Sequence, residues 1–379
     1  MKKIYFALIT LGLMMALSAC GAQSFSGIYK GEDFATLERT GEWELNYARM
    51  YSVEEYGAYS LVKTDDGSSF LVVPEDEEVP YNLPEGTEVL KQPLNNVYLA
   101  SSSVMDMVCA IGATDDIRFT GTKEKDWHID EAVKAMQEGR LLYGGKYSQP
   151  DYELILKEDC DLAIENTMIW HNPETKEKLE EVGIPVLVEL SSYEEHPMGR
   201  LEWIRLYGLL FDQRDEAEDF YAEQLKAYNE ISEGGKTGKT VAFFYVNANG
   251  AVNVKKSMDY VPKMIRMAGG EYIPSDVGDE EENALSTVNM QMEEFYADAK
   301  DADILIYNTT VVSDINSVDE ILDKDELFAD FKAVKNGKVY VAGTDFFQKT
   351  TGVCNMIKDL SVVLHEEDES NLIFLRHIY

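Results

Sequence analysis

The chain has 379 residues, of which 34 are basic and 70 acidic, so its formal net charge is −36. Nucleic-acid binding and attachment to anionic lipid both depend on lysine and arginine, and this charge argues against both functions. Hydrophobic residues make up 45% of the chain, which is enough to fill folded cores and argues against an acidic disordered protein. The length predicts two or three domains.

Residues 1–19 have the anatomy of a signal peptide. Two lysines precede an apolar run at residues 4–17, which is shorter than the roughly 20 residues that span a membrane. The run ends in Leu-Ser-Ala followed by Cys20, which resembles the lipobox of bacterial lipoproteins. We therefore expect Cys20 to carry the lipid, residues 20–42 to form a polar tether, and the protein to lie at the extracytoplasmic face of the cell membrane. The alternative is an ordinary secretory signal with an incidental cysteine.

Besides Cys20, the chain has three cysteines: Cys109, Cys160 and Cys354. They are far apart in sequence, so the chain has no C-x-x-C pair for redox chemistry or zinc. Their odd number leaves at least one thiol unpaired. The apolar surroundings of Cys109 and Cys354 predict buried structural thiols, and the oxidation state of all three stays open.

Residues 43–95 are predicted to form a β-rich N-terminal extension. Two strand-like runs, at residues 59–64 and 69–73, flank Asp65-Asp66-Gly67-Ser68, and this arrangement predicts a β-hairpin. Residues 75–93 contain prolines and many acids, so we expect an irregular connector there.

Strands and helices alternate from residue 96 onward, which predicts parallel sheets covered by helices. We predict an α/β fold in which two mainly parallel lobes, 96–211 and 237–379, are joined by a long rigid helix at 212–236. In the first lobe, the predicted strands lie at 97–100, 117–120, 161–164 and 186–189, and the helices at 104–111, 129–138, 152–157, 174–182 and 198–211. A helix is predicted at 215–231 within the bridge. In the second lobe, the strands lie at 240–246, 251–254, 272–273, 304–307, 339–341 and 373–375, and the helices at 259–268, 290–299, 318–322 and 346–365.

Several short motifs follow one another between residues 58 and 365. They are Ile111-Gly112-Ala113, Tyr152-Glu153 before Asp161-Leu162, Gly183-Ile184-Pro185-Val186, His196-Pro197-Met198-Gly199-Arg200, Met267-Ala268-Gly269-Gly270 and Ala333-Val334-Lys335-Asn336-Gly337. Their order and spacing resemble the substrate-binding lipoproteins of ABC importers that serve iron–siderophore, haem and cobalamin uptake, although Cys160 stands where that class usually has proline. The resemblance implies a monomeric receptor, not an enzyme, that delivers a small molecule to a permease dimer with its ATPase.

Residues that follow the predicted strands are binding candidates, because ligands of parallel α/β proteins bind beyond the carboxyl ends of the strands. Aromatic side chains from both lobes would suit a flat macrocycle or an iron chelate. A ferric siderophore is the first choice of ligand, cobalamin and haem are the alternatives, and no covalent cofactor is expected. Packing or exposure to water is the ordinary role of any one of the 22 tyrosines. The candidates are Ser102, Tyr147, Trp170, His171, Tyr193, Tyr245, Asn247, Lys255, Phe346 and Phe347.

The resemblance also implies docking on the permease through one acidic residue of each lobe. Glu174 or Glu177 has the matching position in the first lobe and Glu320 in the second. A plain surface carboxylate is the alternative for each of them, since the chain has 70 acids.

Three alternatives to a receptor for an iron complex or macrocycle are a bare metal-ion site, a hydrolase and a cell-wall adhesion module. His171 and His196 raise the hypothesis of a bare metal-ion site, but no histidine lies between 197 and 364, and we predict no metal site. The chain has no G-x-S-x-G, Walker A, H-E-x-x-H or G-x-G-x-x-G motif, so a hydrolase would have to use a pair of carboxylates. A cell-wall adhesion module would explain the anchor and tether, but not two lobes with a bridging helix.

Overall fold

The computed structural model describes residues 31–231, 235–278, 286–310 and 312–379. The predicted signal peptide and Cys20 lie outside the described residues. Within these ranges, no helix has the length and hydropathy needed to cross a membrane.

The N-terminal extension is a five-stranded sheet. The predicted hairpin is confirmed: its strands pair antiparallel with Lys63 opposite Ser69, and Gly67 adopts a φ of +87° in the turn. The sheet has the order β1-β2-β3-β4-β5, with β1 (Gly41–Glu42), β2 (Tyr51–Tyr56), β3 (Tyr59–Thr64), β4 (Ser69–Val73) and β5 (Thr87–Lys91).

Two predictions about the ends of this extension need correction. Residues 75–93 are not wholly irregular, because β5 lies there and pairs parallel with β4. The expected tether at 20–42 is also too long: Phe34 is buried against Tyr59 and Leu61, and β1 pairs with β2. The folded body therefore includes residues 31–42.

The first lobe contains a five-stranded sheet in which every pairing is parallel. Its strand order is β12-β11-β6-β7-β8, so the order reverses between β6 and β11. Apolar side chains cover both faces, as expected for a parallel sheet. The elements are β6 (Val97–Leu99), α1 (Ser102–Ala110), β7 (Ile117–Thr120), α2 (Asp130–Gln137), β8 (Leu142–Tyr143), the hairpin of β9 (Gly145–Lys146) and β10 (Gln149–Pro150), α3 (Tyr152–Lys157), β11 (Ala163–Asn166), α4 (Pro173–Glu181) and β12 (Val186–Glu189).

Two consecutive helices connect the lobes. Helix α5 (Pro197–Leu210) is buried along almost its whole length, and α6 (Arg214–Ile231) has 18 residues and is therefore about 27 Å long. The turn between them is tight because Gly208 has no side chain: a Cβ there would lie 2.4 Å from the Cβ of Ala217.

The second lobe has a mixed sheet, which differs from the mainly parallel sheet that we predicted. Strands β13, β17 and β18 are parallel, as predicted, but β14, β16 and β19 pair antiparallel with their neighbours. The order is β16-β14-β13-β17-β18-β19, and β15 also pairs with β13. The elements are β13 (Thr240–Val246), β14 (Val252–Lys255), α7 (Tyr260–Met267), β15 (Glu271–Tyr272), β16 (Thr287–Met290), α8 (Met292–Ala299), β17 (Ile304–Asn308), α9 (Val318–Leu322), α10 (Lys332–Lys335), β18 (Val339–Ala342), α11 (Val353–His365) and β19 (Leu375–His377).

Two buried carboxylates attach the extension to α5. Glu202 accepts hydrogen bonds from the backbone N–H groups of residues 46, 47 and 48, each at 2.8 Å. Glu194 accepts from the backbone of residues 49 and 50 and from the indole N–H of Trp203. We call this arrangement the carboxylate clasp. Carboxylates satisfy several clustered N–H donors at once, which makes the attachment specific.

The two lobes also contact each other directly, on one side of the space between them. The backbone N–H of Thr351 donates to the Asp106 carboxylate at 2.8 Å, and the Thr350 hydroxyl donates to the Ser103 carbonyl at 3.0 Å. Gln348 bonds the backbone of residues 126 and 128. One apolar cluster runs from the extension through α5 and α6 into the second sheet, so the parts share a core.

Candidate ligand-binding cleft

The cleft between the lobes lies where the strand order of both sheets reverses. In the first lobe, the loops after β6 and β11 line it, and in the second lobe the ends of β13 and β17 do. Such reversal points are where α/β folds bind ligands, because the neighbouring connections leave on opposite sides of the sheet. Two reversal points therefore face one another across one space.

Two adjoining hollows make up the cleft. One, of about 250 Å³, lies between the lobes; the other, of about 190 Å³, lies in the second lobe. The first is lined by Ser101, Ser102, Ser103, Asn166, Thr167, Met168, Glu189, Ser192, Arg200, Lys255, Asp259, Tyr260, Ser286 and Phe347. The second shares Lys255, Tyr260, Ser286 and Phe347 with it and adds Phe243, Tyr245, Asn253, Val261, Thr287, Asn308, Thr310 and Phe346.

Four charged side chains line the first hollow. The Arg200 guanidinium lies 4.0 Å from the centre of the Tyr260 ring, and the Lys255 ammonium lies 5.7 Å from the same ring. Lys255 is also 3.5 Å from the Asp259 carboxylate. Burial raises the pKa of Glu189, while the Ser191 hydrogen bonds and the nearby Arg200 charge lower it. The cleft thus combines two cations with two acids.

The two acids of the cleft are held by backbone groups. Glu189 accepts from the N–H of Ser191 at 2.7 Å, and Asp259 accepts from the N–H of Val261 at 2.9 Å at the start of α7. A carboxylate with a backbone donor is stabilised as a structural acceptor. These contacts fix the positions of both carboxylates.

Aromatic and apolar side chains surround the cleft on both lobes. Trp170 is exposed and stacks on Tyr193, with ring centres 5.7 Å apart. Met168 on the same loop, and Met258 and Phe347 on the second lobe, are also exposed. Exposed large apolar side chains that cluster around a concavity are typical of binding sites.

The structure places the predicted ligand residues in three groups. Ser102, Tyr245, Lys255, Phe346 and Phe347 line the hollows. Trp170 and Tyr193 lie on the loops beside them. The remaining three, Tyr147, His171 and Asn247, do not line either hollow: Tyr147 packs against the outer face of the first sheet, His171 is exposed, and Asn247 accepts hydrogen bonds within the β13–β14 turn.

Several cleft residues were missed by the sequence analysis. Arg200 and Tyr260 lie in helices, and the search considered only the loops that follow strands. Asn308 ends β17, a position of the kind from which the candidates were chosen, yet it is not one of the candidates. Arg200 belongs to a motif that carried the family resemblance, and this was the one signal that could have drawn attention to it.

His171 and His196, the two histidines that raised the metal-ion hypothesis, belong to no cluster of metal ligands within the described residues. Among the described residues, no group of three or more His, Cys, Asp or Glu side chains could hold a metal ion. His196 accepts from the Met198 N–H at the start of α5 and stacks on Tyr47. Its burial, with help from nearby Lys263 and Arg49, lowers the pKa of His196 to about 4, which suits a neutral structural imidazole.

The three cysteines have thiols that burial keeps protonated. Cys160 and Cys354 are buried and Cys109 is half-buried, and all three are free. Burial raises the pKa to about 11 for Cys160 and Cys354 and to about 12 for Cys109. Thiols of this kind are poor nucleophiles, in line with a structural role.

Glu165 is a buried acid beside the cleft. It lies in β11 next to Asn166, and neither of its carboxylate oxygens has a hydrogen-bond partner among the described residues. The side chain is fully buried, and this desolvation raises the pKa of Glu165 to about 8. The group is therefore mostly protonated at neutral pH.

A larger hollow of about 570 Å³ lies elsewhere in the second lobe, near β16 and α8. Its lining includes the acids Asp276, Glu294 and Asp298. The described residues that line it all belong to the second lobe. The cleft, with side chains from both lobes, is the better candidate.

The predicted docking acids lie at helix starts. Glu174 and Glu177 are exposed in the first half of α4, and Glu320 is half-exposed in α9. The two helices belong to different lobes.

Comparisons with known proteins agree with this architecture. An uncharacterised lipoprotein of Methanocaldococcus jannaschii is 27% identical over 347 residues, which cover 85% of this chain and 78% of that protein. The crystal structure of a periplasmic haem-binding protein from Pseudomonas aeruginosa has a TM-score of 0.60 at 14% identity, over 75% of this chain and 98% of that one. A protein of an ABC-type Fe³⁺-hydroxamate transport system from Saccharomonospora viridis has a TM-score of 0.55 at 18% identity, over 72% and 93%.

Because the sequence identity to these two structures is low, the structural similarity establishes only the fold. A family model described as periplasmic binding protein matches residues 97–346, which is about two thirds of the chain and contains nearly all residues that line the cleft. The chain therefore belongs to the periplasmic binding protein family.

Proposed function

We propose that this protein is a lipid-anchored solute receptor that binds a ferric siderophore in the cleft and delivers it to the permease of an ABC importer. Its family consists of substrate-binding proteins, which capture solutes and do not convert them. The observation that supports the proposal best is the meeting of two strand-reversal points across one cleft, with binding groups from both lobes.

The lining of the cleft supports an iron complex as the solute. Aromatic rings give apolar contact, while serines, asparagines and cations give polar contacts to the oxygen atoms of a chelate. Cobalamin or haem is the alternative, since either would also use aromatic contacts. The titles of the two structures name haem and Fe³⁺-hydroxamate, and both classes of ligand therefore belong in the test.

A titration panel tests the proposal. Mature protein with Cys20→Ser is titrated with ferrioxamine B, ferric citrate, hemin and cyanocobalamin, and tryptophan fluorescence reports binding. We expect a micromolar or tighter Kd for at least one iron complex. The absence of binding to any of the four by a folded protein would refute the receptor, and binding of cyanocobalamin alone would replace the iron complex by a corrinoid.

A pair of variants tests whether the cleft is the site. Phe347 is 50% exposed and borders both hollows, whereas Ile373 is 58% exposed and lies outside them. Phe347→Ala should weaken binding by about 10-fold or more, because a buried aromatic contact contributes more than about 1.4 kcal/mol. Ile373→Ala should leave the Kd unchanged. Equal effects of the two variants would place the ligand elsewhere.

Delivery to a permease is tested by charge reversal. Glu177→Lys together with Glu320→Lys should lower uptake by cells or vesicles that carry the importer, while the Kd for the solute stays constant. Glu153→Lys, an exposed acid on α3, is the matched control. Unchanged uptake would show that these two acids do not contact the permease.

A further inference from the structure

Arg200 is a nearly buried cation that has no carboxylate within ion-pair distance among the described residues. It is only 8% exposed, and it lines the hollow between the lobes. Within the part of the chain that the structure describes, its guanidinium makes neither a hydrogen bond nor an ion pair, and it lies over the face of the Tyr260 ring. Buried charged groups are normally paired, so an unpaired guanidinium at the wall of a cavity indicates a missing anionic partner.

The two acids of the cleft do not supply that partner. Glu189 is near enough to Arg200 for the cation to lower its pKa, yet the pair does not reach ion-pair distance, and Glu189 bonds the Ser191 N–H. Asp259 is paired with Lys255 and bonds the Val261 N–H. The guanidinium carbon of Arg200 lies over the Tyr260 ring, a contact that uses none of its N–H groups, so these remain available for a planar oxyanion.

A second set of donors faces the same hollow. Ser102 and Ser103, the first two residues of α1, line it, and Ser101 before them makes no side-chain bond to the free N–H groups of the first turn. The Ser101 hydroxyl instead lies 3.2 Å from that of Ser103. The amino end of this nine-residue helix carries partial positive charge and therefore adds to the attraction of Arg200 for an anion.

We propose that Arg200 and the amino end of α1 form a subsite for a carboxylate of the bound solute. The solute is thus an amphipathic chelate or macrocycle with at least one free carboxylate: its carboxylate end lies at Arg200, and its apolar part lies against Met168, Trp170 and Phe347. This inference rests on the proposed receptor function and narrows its ligand. It disfavours cationic hydroxamate complexes and ligands without an acidic group.

The test compares probes that differ in their carboxylates. Hemin and ferric citrate carry carboxylates, hemin dimethyl ester carries none, ferrioxamine B is cationic and cyanocobalamin is neutral. We expect wild-type protein to bind hemin or ferric citrate at least 10-fold more tightly than the other three probes. A preference for ferric citrate would identify an iron chelate as the source of the carboxylate, and a preference for hemin over its ester would identify a tetrapyrrole.

Variants connect this preference to Arg200. Arg200→Gln should weaken the binding of the carboxylate probe by about 10- to 100-fold, as expected for loss of a charge-assisted hydrogen bond. Arg200→Lys keeps the positive charge and should weaken the binding less. Arg118→Gln is the control, because Arg118 is a half-buried arginine that bonds Glu158 and lines neither hollow. The ester comparison uses wild-type protein, so it remains decisive even if Arg200→Gln does not fold.

The outcomes separate the two proposals. The carboxylate subsite would be overturned if ferrioxamine B, cyanocobalamin or the ester bound tightly and Arg200→Gln did not weaken that binding. The receptor function would then still stand. Failure of all five probes to bind a folded protein would overturn the receptor function and the subsite with it.

Discussion

Replacing Glu202 by glutamine tests the carboxylate clasp that attaches the extension to α5. The Glu202 side chain is fully buried, and its two oxygens accept from three backbone N–H groups at 2.8 Å and from the Arg205 guanidinium at 3.3 Å. Glutamine has nearly the same shape, but its amide nitrogen cannot accept a hydrogen bond. At least one backbone N–H of residues 46–48 would then face another donor.

The size of the effect follows from these contacts. A hydrogen bond to a charged group contributes about 1.5–3 kcal/mol, and a buried N–H left without an acceptor costs about 1–3 kcal/mol. We therefore expect Glu202→Gln to lower the free energy of unfolding by about 3–5 kcal/mol, in the range for breaking a buried pair. This is a large share of the roughly 5–15 kcal/mol of a typical folded domain.

Urea unfolding followed by circular dichroism measures the change, and the slope with urea concentration should stay the same. Glu218→Gln is the matched control, since Glu218 also bonds Arg205 but its side chain is half-exposed. Glu218→Gln should lower the free energy of unfolding by less than about 1 kcal/mol. If the two variants lose the same stability, the clasp is not the attachment that we describe.

Three further predictions concern single side chains. Because burial raises the pKa of Glu165 to about 8 from an ordinary value near 4.5, the folded state binds this proton more tightly, and stability should fall as the pH rises from about 4.5 to 8. Glu165→Gln should remove this pH dependence and raise the free energy of unfolding by about 3 kcal/mol at pH 7, as measured by denaturant titration. An unchanged pH dependence would show that Glu165 is not its source. Trp170→Ala should weaken solute binding with little change in Tm. Tyr143 is another exposed aromatic residue, and Tyr143→Ala should change neither quantity. A large drop in Tm for Trp170→Ala would show that Trp170 is a core residue. Cys20→Ser should move the protein from the membrane fraction to the soluble fraction, and continued sedimentation with membranes would exclude lipidation there.

Strongly apolar strands and capped helices were predictable within one or two residues. Ile117–Thr120, Val186–Glu189 and Thr240–Val246 are observed at the predicted positions, because each combines β-branched or aromatic residues with clear turn signals. The short strands Thr87–Lys91 and Thr287–Met290 were missed. Both contain polar residues and owe their extended conformation to pairing with a distant strand, which local patterns do not record.

Helix starts near the cleft were harder to predict. The last long helix was expected from residue 346 but begins at Val353, because residues 346–352 form turns that place Phe346 and Phe347 in the cleft. Gly352 packs against the Phe374 ring at this point, where a Cβ would lie 2.4 Å from the ring. Arg200 shows the other limit: its partner ring, Tyr260, is 60 residues away in sequence, and only folding brings them together.

The carboxylate clasp also constrains the order in which the chain can fold. Its acceptors, Glu194 and Glu202, are separated from their donors at residues 46–50 by about 150 residues. Pairings across such distances form late, since the intervening chain must first lose its freedom. The segment that is synthesised first is therefore among the last to reach its native position. In a growing chain shorter than about 200 residues this segment has no clasp to bind, so its acidic side chains or a chaperone must keep it soluble.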